Sequence, residues 1–213
     1  MISDMFDWNK SYFPKVTVIL RGYSYEQSRC VVKQMVGTKL GAVEIAMNTP
    51  NAPQIIKRLV EEFGNEVMVG AGTVINAERA SAAVEAGARF ALSATCFTSE
   101  IFAICKESGL VCVPAAFSPT EIWHMFELGA DIVKIFPASF LGPSYIKTIE
   151  APLNKMPLMV VGGINADNCQ QYFDSGADFA GIGSGIFKQE DILSMDENNL
   201  KKSIIEFEKK VIW

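Results

Sequence analysis

The chain has a single histidine, His124, and no pair of cysteines at CxxC spacing. Protein zinc sites draw on Cys and His at short spacings, so a Cys/His metal site is not expected and no cofactor is implied. The five cysteines (Cys30, Cys96, Cys105, Cys112 and Cys169) are odd in number and scattered. That is a poor disulfide framework, and they read as small buried hydrophobes. Basic blocks are missing too, with 19 Lys and Arg against 24 Asp and Glu and a net charge of −5. Nucleic acid is therefore not an expected partner. A few local donors can still hold an anion against the global sign. No apolar run approaches the ~20 residues of a membrane span. The opening MISDMFDWNK lacks the basic-then-apolar order of a signal peptide. The expectation is a cytoplasmic protein with no membrane partner. No Pro/Gly/Ser-rich linker divides the chain, so one domain over residues 1–213 is expected.

What is present is alternation. Short β-rich runs recur between helical patterns, the signature of parallel βα units. Eight runs qualify: VTVIL from Val16, AVEIA from Ala42, VMVGA from Val67, FALS from Phe90, LVCVP from Leu110, DIVKIF from Asp131, LMVV from Leu158 and FAGIG from Phe179. Between them lie segments such as NAPQIIKRLVEEFG and NAERASAAVEAG. Each opens on Asn, a capping residue, and closes on Gly, which accepts the left-handed conformation that ends a helix. The even runs follow Gly-Ala (LGAVEI, AGARFAL, LGADIVKI, SGADFAGI), and the odd runs end in small residues (MVGAGT, CVPAA, VVGG). A repeat of two βα units favours a closed (β/α)₈ TIM barrel of α/β class, with an open doubly wound sheet as the other arrangement. MISDMFDWNKSYF is expected to form an N-terminal helix, and the tail from Leu200 a helix packed outside the barrel.

Active sites of parallel barrels lie at the C-terminal ends of the strands, and side chains alternate between lumen and helix layer. In DIVKIFP, Val133 and Ile135 suit the helix layer, which sends Ile132, Lys134 and Phe136 inward. In AVEIA, Val43 and Ile45 face outward and Glu44 inward. Two opposite charges then share one lumen. A structural ion pair is one reading, but burying a pair is often no better than packing hydrophobes there. Chemistry is the other. Burial lowers a lysine pKa, and a neutral amine attacks a ketone while a nearby carboxylate moves protons. Such a site needs neither metal nor cofactor.

A second signal sits on the last two runs. VVGGINADN carries Gly162 and Gly163 just ahead of a helix, and GIGSG carries Gly183, Ser184 and Gly185. Glycine frees backbone N–H groups to approach an anion, so a phosphate site is expected here. Tight turns alone would also explain a Gly-Gly pair. Arg21 ends the first run and suits a carboxylate or phosphate; Thr73 ends the third and offers a hydroxyl. Trp123, Met125 and Phe126 either serve an interface or pack their helix, and His124 falls on that outer helix.

VEIAMNTP, VGAGTV, DIVKIFPAS, VVGGI and GIGSGIF, in this order, resemble the aldolases acting on 2-keto-3-deoxy-6-phosphogluconate and 2-keto-3-deoxy-6-phosphogalactonate, a family that includes 4-hydroxy-2-oxoglutarate aldolase. The resemblance runs from about Val16 to Phe187. It implies that Lys134 is the Schiff-base lysine and Glu44 the acid/base group. It implies that Thr73 meets the pyruvyl end, that Phe136 lies beside the lysine, and that Gly162, Gly163 and Ser184 bind phosphate. It further implies a homotrimer. Asn48 in MNT, Arg21, Val161 before Gly-Gly and KIFPASFLGPSYIK are similar to the galactonate type. The implied reaction is reversible cleavage of a phosphorylated keto-deoxy sugar acid to pyruvate and glyceraldehyde 3-phosphate. The alternatives are 4-hydroxy-2-oxoglutarate cleavage to pyruvate and glyoxylate, or a non-catalytic sugar-phosphate-binding homologue. The run SATC puts Ala94 where the family usually has proline, and PAA puts Ala115 where it usually has glycine.

Overall fold

Alternation along the strands divides the apolar interior into two cores. In the computed structural model, which describes residues 13–213, nine parallel strands form one nearly closed barrel with helices between them. The strands are β1 (Val16–Leu20), β2 (Ala42–Ala46), β3 (Met68–Gly72), β4 (Phe90–Leu92), β5 (Val111–Val113), β6 (Ala115–Ala116), β7 (Val133–Ile135), β8 (Leu158–Val161) and β9 (Phe179–Ile182). The helices are α1 (Tyr25–Met35), α2 (Ala52–Phe63), α3 (Ala77–Glu85), α4 (Ser99–Glu107), α5 (Pro119–Glu127), α6 (Ala138–Leu141), α7 (Ser144–Leu153), α8 (Cys169–Asp174), α9 (Gln189–Leu193) and α10 (Glu197–Glu208). Strand order is β5-β4-β3-β2-β1-β9-β8-β7-β6.

The ninth strand is the fifth expected run in two pieces. Proline has no N–H to give a ladder, and Pro114 parts β5, which pairs with β4, from β6, which pairs with β7. Backbone bonds still carry the run across the seam. Asp131 N–H donates to Cys112 O at 3.1 Å, and Lys134 N–H donates to Pro114 O at 2.8 Å.

The outer core lies between strands and helices and contains Val16, Val18, Val43, Ile45, Val133 and Ile135. The inner core fills the lumen with Phe90, Leu92, Val113, Ile132, Met159, Val161 and Phe179. Phe13 closes the lumen floor, edge-on to Phe90 at 5.3 Å and to Phe179 at 5.4 Å. Each such aromatic contributes about 1.5–3 kcal/mol through removal of its surface from water. The polar residues of the upper lumen therefore stand on a packed, largely apolar floor.

Several local expectations need correction. Asn76 caps α3, accepting from Arg79 N–H at 3.0 Å. Asn51 does not cap α2; it sits at φ +59 with no side-chain cap bond, and Pro53 helps open that helix instead. Gly87, Gly129 and Gly176 take the left-handed conformation after their helices, but Gly64 remains right-handed at φ −62. The expected N-terminal helix falls on residues 1–12, outside the described residues. Met125 and Phe126 are buried beneath α5, so they pack that helix and offer no interface. His124 lies exposed on α5, 3.7 Å from Glu127. No helix among the described residues is long and apolar enough to cross a membrane.

Candidate active site

Strand parity delivers Lys134 and Glu44 to the lumen from opposite sides. Lys134 is 4% exposed on β7, and Glu44 is 1% exposed on β2. Burial disfavours charge on both. It pushes the Lys134 amine down from 10.5 to about 8, with the Glu44 carboxylate opposing and the Arg21 guanidinium adding to the fall. It pushes the Glu44 carboxyl up, while Lys134 and Arg21 hold it down. Glu44 Oε2 is buried with no hydrogen-bond partner. An unpartnered buried oxygen costs about 1–3 kcal/mol, a cost a purely structural residue has no reason to carry. The Lys134 ammonium lies 4.8 Å from the Phe136 ring centroid, so the aromatic wall sits beside the amine.

One layer higher, Arg21 organises the rim. Its Nη1 donates to Asn48 Oδ1 at 2.8 Å and to Thr73 Oγ1 at 3.4 Å. Three residues after three different strands thus converge around one guanidinium. Thr73 sits at φ +56, a strained conformation for a β-branched residue. Arg79 Nη1 holds it there through the Thr73 carbonyl at 2.9 Å. Strain supported from a neighbouring helix is the pattern of a residue whose hydroxyl must point one way.

Beside Arg21 a cavity of about 400 Å³ opens over β8 and β9, lined by Val161, Gly162, Gly163, Gly183 and Ser184. Gly162 and Gly163 are left-handed at φ +97 and +78, and a Cβ on Gly163 would lie 2.6 Å from Ser139 Cβ. A Cβ on Gly185 would lie 2.1 Å from the Ile164 carbonyl oxygen, so the two glycine turns are in direct contact. The helix expected directly after Gly-Gly begins only at Cys169 and has six residues. The Gly-Gly turn is therefore followed by loop rather than directly by a helix end. Lys134 and Glu44 lie beneath this cavity. Lys134 pairs in register with Met159, two residues below Val161, and Glu44 with Ile19, two below Arg21.

Some neighbours were not anticipated. Tyr23 and Gln189 also line the cavity, from loop and helix positions where strand parity gives no orientation. The SATC and PAA runs meet each other: Ala115 N–H donates to Thr95 O at 3.0 Å, and Ala115 is the register partner of Lys134. Ser93, fully buried, shares a hydroxyl contact of 3.3 Å with Thr95.

Fold and site together define a parallel barrel that holds a buried amine and a buried carboxyl below a glycine-lined pocket. The family model for KDPG and KHG aldolase matches residues 12–203, and the chain belongs to that family, which makes it an aldolase and a lyase. Over 171 residues it is 32% identical to the 2-dehydro-3-deoxy-6-phosphogalactonate aldolase of Escherichia coli (strain K12), covering 80% of this chain and 83% of that one. A solved structure described as native KDPGal superimposes with a TM-score of 0.81 at 28% identity, covering 93% of this chain and 96% of that one. The KDPG aldolase of Legionella pneumophila, solved with pyruvate captured as a covalent carbinolamine, gives a TM-score of 0.82 at 25% identity, covering 90% and 93%.

Proposed function

We propose that the chain cleaves a 2-keto-3-deoxy-6-phospho sugar acid, of the galactonate type, to pyruvate and glyceraldehyde 3-phosphate, with Lys134 as nucleophile and Glu44 as acid/base. The observation that carries this is the buried amine, held down to about 8, facing a buried carboxyl below a glycine-lined pocket. The neutral Lys134 amine adds to the C2 ketone, and the carbinolamine loses water to an iminium. Glu44 accepts the proton of the C4 hydroxyl as the C3–C4 bond breaks, releasing the aldehyde and leaving an enamine. The enamine takes a proton at C3, and water returns pyruvate and the free amine. Arg21, Asn48 and Thr73 are positioned to orient the substrate's oxygens, Phe136 and Val161 to wall the pyruvyl end, and Gly162, Gly163, Gly183 and Ser184 to hold the phosphate. The galactonate preference rests on Asn48 and Arg21 and on the Escherichia coli relative.

The test is the intact mass after incubation with pyruvate and borohydride. One pyruvyl adduct on wild type and none on Lys134→Ala is the expected result; no adduct on folded wild type would defeat the proposal. The altered loops at Ala94 and Ala115, which meet beside Lys134, favour a second reading, cleavage of 4-hydroxy-2-oxoglutarate. Comparing kcat/KM for phosphorylated and unphosphorylated substrates decides between them, because phosphate binding energy counts only under the first. A homotrimer is part of this proposal. Phe140, 83% exposed, and the exposed Phe117 are apolar surface such an assembly would cover. Sedimentation equilibrium at three times the chain mass is the expected outcome.

A further inference from the structure

The inward face of β3 is bare. Its lumen-facing positions above Met68 are Gly70 and Gly72, which pair with Glu44 and Ala46 of β2. Neither glycine has a left-handed φ, so neither is required by its backbone. Each is required by a neighbour. A Cβ on Gly70 would lie 2.4 Å from the Phe90 ring, so β3 cedes that space to the lumen floor. A Cβ on Gly72 would lie 1.3 Å from Glu44 Oε1 and 2.0 Å from Glu44 Cδ. The Glu44 side chain therefore leaves its own strand, leans toward the mouth and lies flat over Gly72. With Oε2 unpartnered, shape positions the carboxyl more than hydrogen bonding does.

We propose that Gly72 is a positioning residue, the seat that sets where the Glu44 carboxyl stands relative to the Lys134 amine. This rests on the reading of Glu44 and Lys134 as the reacting pair. A methyl group at Gly72 would meet Glu44 Oε1, Cδ and Cγ at 1.3, 2.0 and 2.5 Å and so forces the carboxyl off its seat; aspartate, one methylene shorter, loses the outermost of these contacts and eases the conflict, turning about its own Cα–Cβ bond to clear the rest. Gly72→Ala thus differs from an ordinary packing defect: Glu44→Asp should worsen a defect but repair a displaced carboxyl.

The experiment compares wild type, Gly72→Ala, Glu44→Asp and the double variant. Two readouts are taken: kcat for cleavage, and the pH midpoint for acetylation of Lys134 by acetic anhydride, which acylates the neutral amine and releases acetate, followed by peptide mass. The labelling needs no turnover, so it reads the seat even if the substrate assignment is wrong. Expected are a loss of kcat of about 100-fold in Gly72→Ala, a shifted labelling midpoint, and recovery of at least tenfold in kcat in the double variant. An unshifted midpoint, or a double variant worse than both singles, overturns the proposal. A shifted midpoint with no pyruvate adduct on wild type sinks the aldolase chemistry and leaves the seat intact. If Gly72→Ala alone does not fold, its melting temperature in the Glu44→Ala background decides: the methyl costs nothing there if Glu44 is its only conflict, and a full loss overturns the proposal.

Discussion

Replacing Glu44 by Gln should make Lys134 easier to deprotonate while making the enzyme slower. With its amine at about 8, Lys134 is neutral for about a tenth of molecules at pH 7, against about one in 3,000 at its ordinary value of 10.5. Glu44 opposes that fall, because a carboxylate stabilises the nearby ammonium. Glu44→Gln keeps the volume and removes the charge, so the Lys134 midpoint must drop below about 8. Each unit of further fall raises the neutral fraction at pH 6 about tenfold. Proton transfer is lost at the same time, and kcat should fall by about 10²–10⁴. The assay is borohydride trapping of the pyruvate adduct from pH 5 to 10, read by intact mass, beside a coupled assay of cleavage. The midpoint of the trapping curve is the decisive quantity, since its amplitude also reflects slower dehydration. A midpoint at or above that of wild type would refute the electrostatic reasoning, even with kcat reduced.

Stability should move opposite to function at the lysine. The folded value of Lys134, about 8, lies below the unfolded 10.5. The native state therefore pays a penalty for the charged amine below pH 8, and that penalty lifts as pH rises from 8 to 10.5. Lys134→Met should accordingly raise the urea midpoint at pH 7, with Glu44 taking up a proton; a lowered midpoint would count against it. Gly163→Ala meets both a left-handed φ and Ser139. It should cut kcat/KM for the phosphorylated substrate at least tenfold while sparing the trapped pyruvate adduct, and equal losses in both assays would argue against a phosphate role. Thr73→Gly and Thr73→Ala lose the same hydroxyl, but only glycine relieves φ +56. Urea unfolding should find Thr73→Gly the more stable of the two by about 1 kcal/mol, and the reverse order would mean the strain is not there.

The amino-acid sequence by itself determined everything that depends on period. Alternation placed Val133 and Ile135 outside and Lys134 inside, and did the same for Glu44 in AVEIA, because a strand leaves each side chain only two directions. The recurring Gly-Ala and the glycine turns marked strand starts and the glycine-lined cavity for the same local reason. Where no period holds, only the tertiary structure decided. Asn51 carries a capping side chain, yet the β2–α2 turn holds it left-handed and leaves the cap bond unmade. Pro114 ends a ladder on one side and begins one on the other, which depends on β4 and β7 both being there. Arg21, Asn48 and Thr73 are far apart in the chain and meet because parallel strands bring their C-terminal ends to one rim. Gly72 acquires its meaning only when the carboxyl of the adjacent strand lies across it, since a residue without a side chain carries no pattern until a neighbour occupies its space.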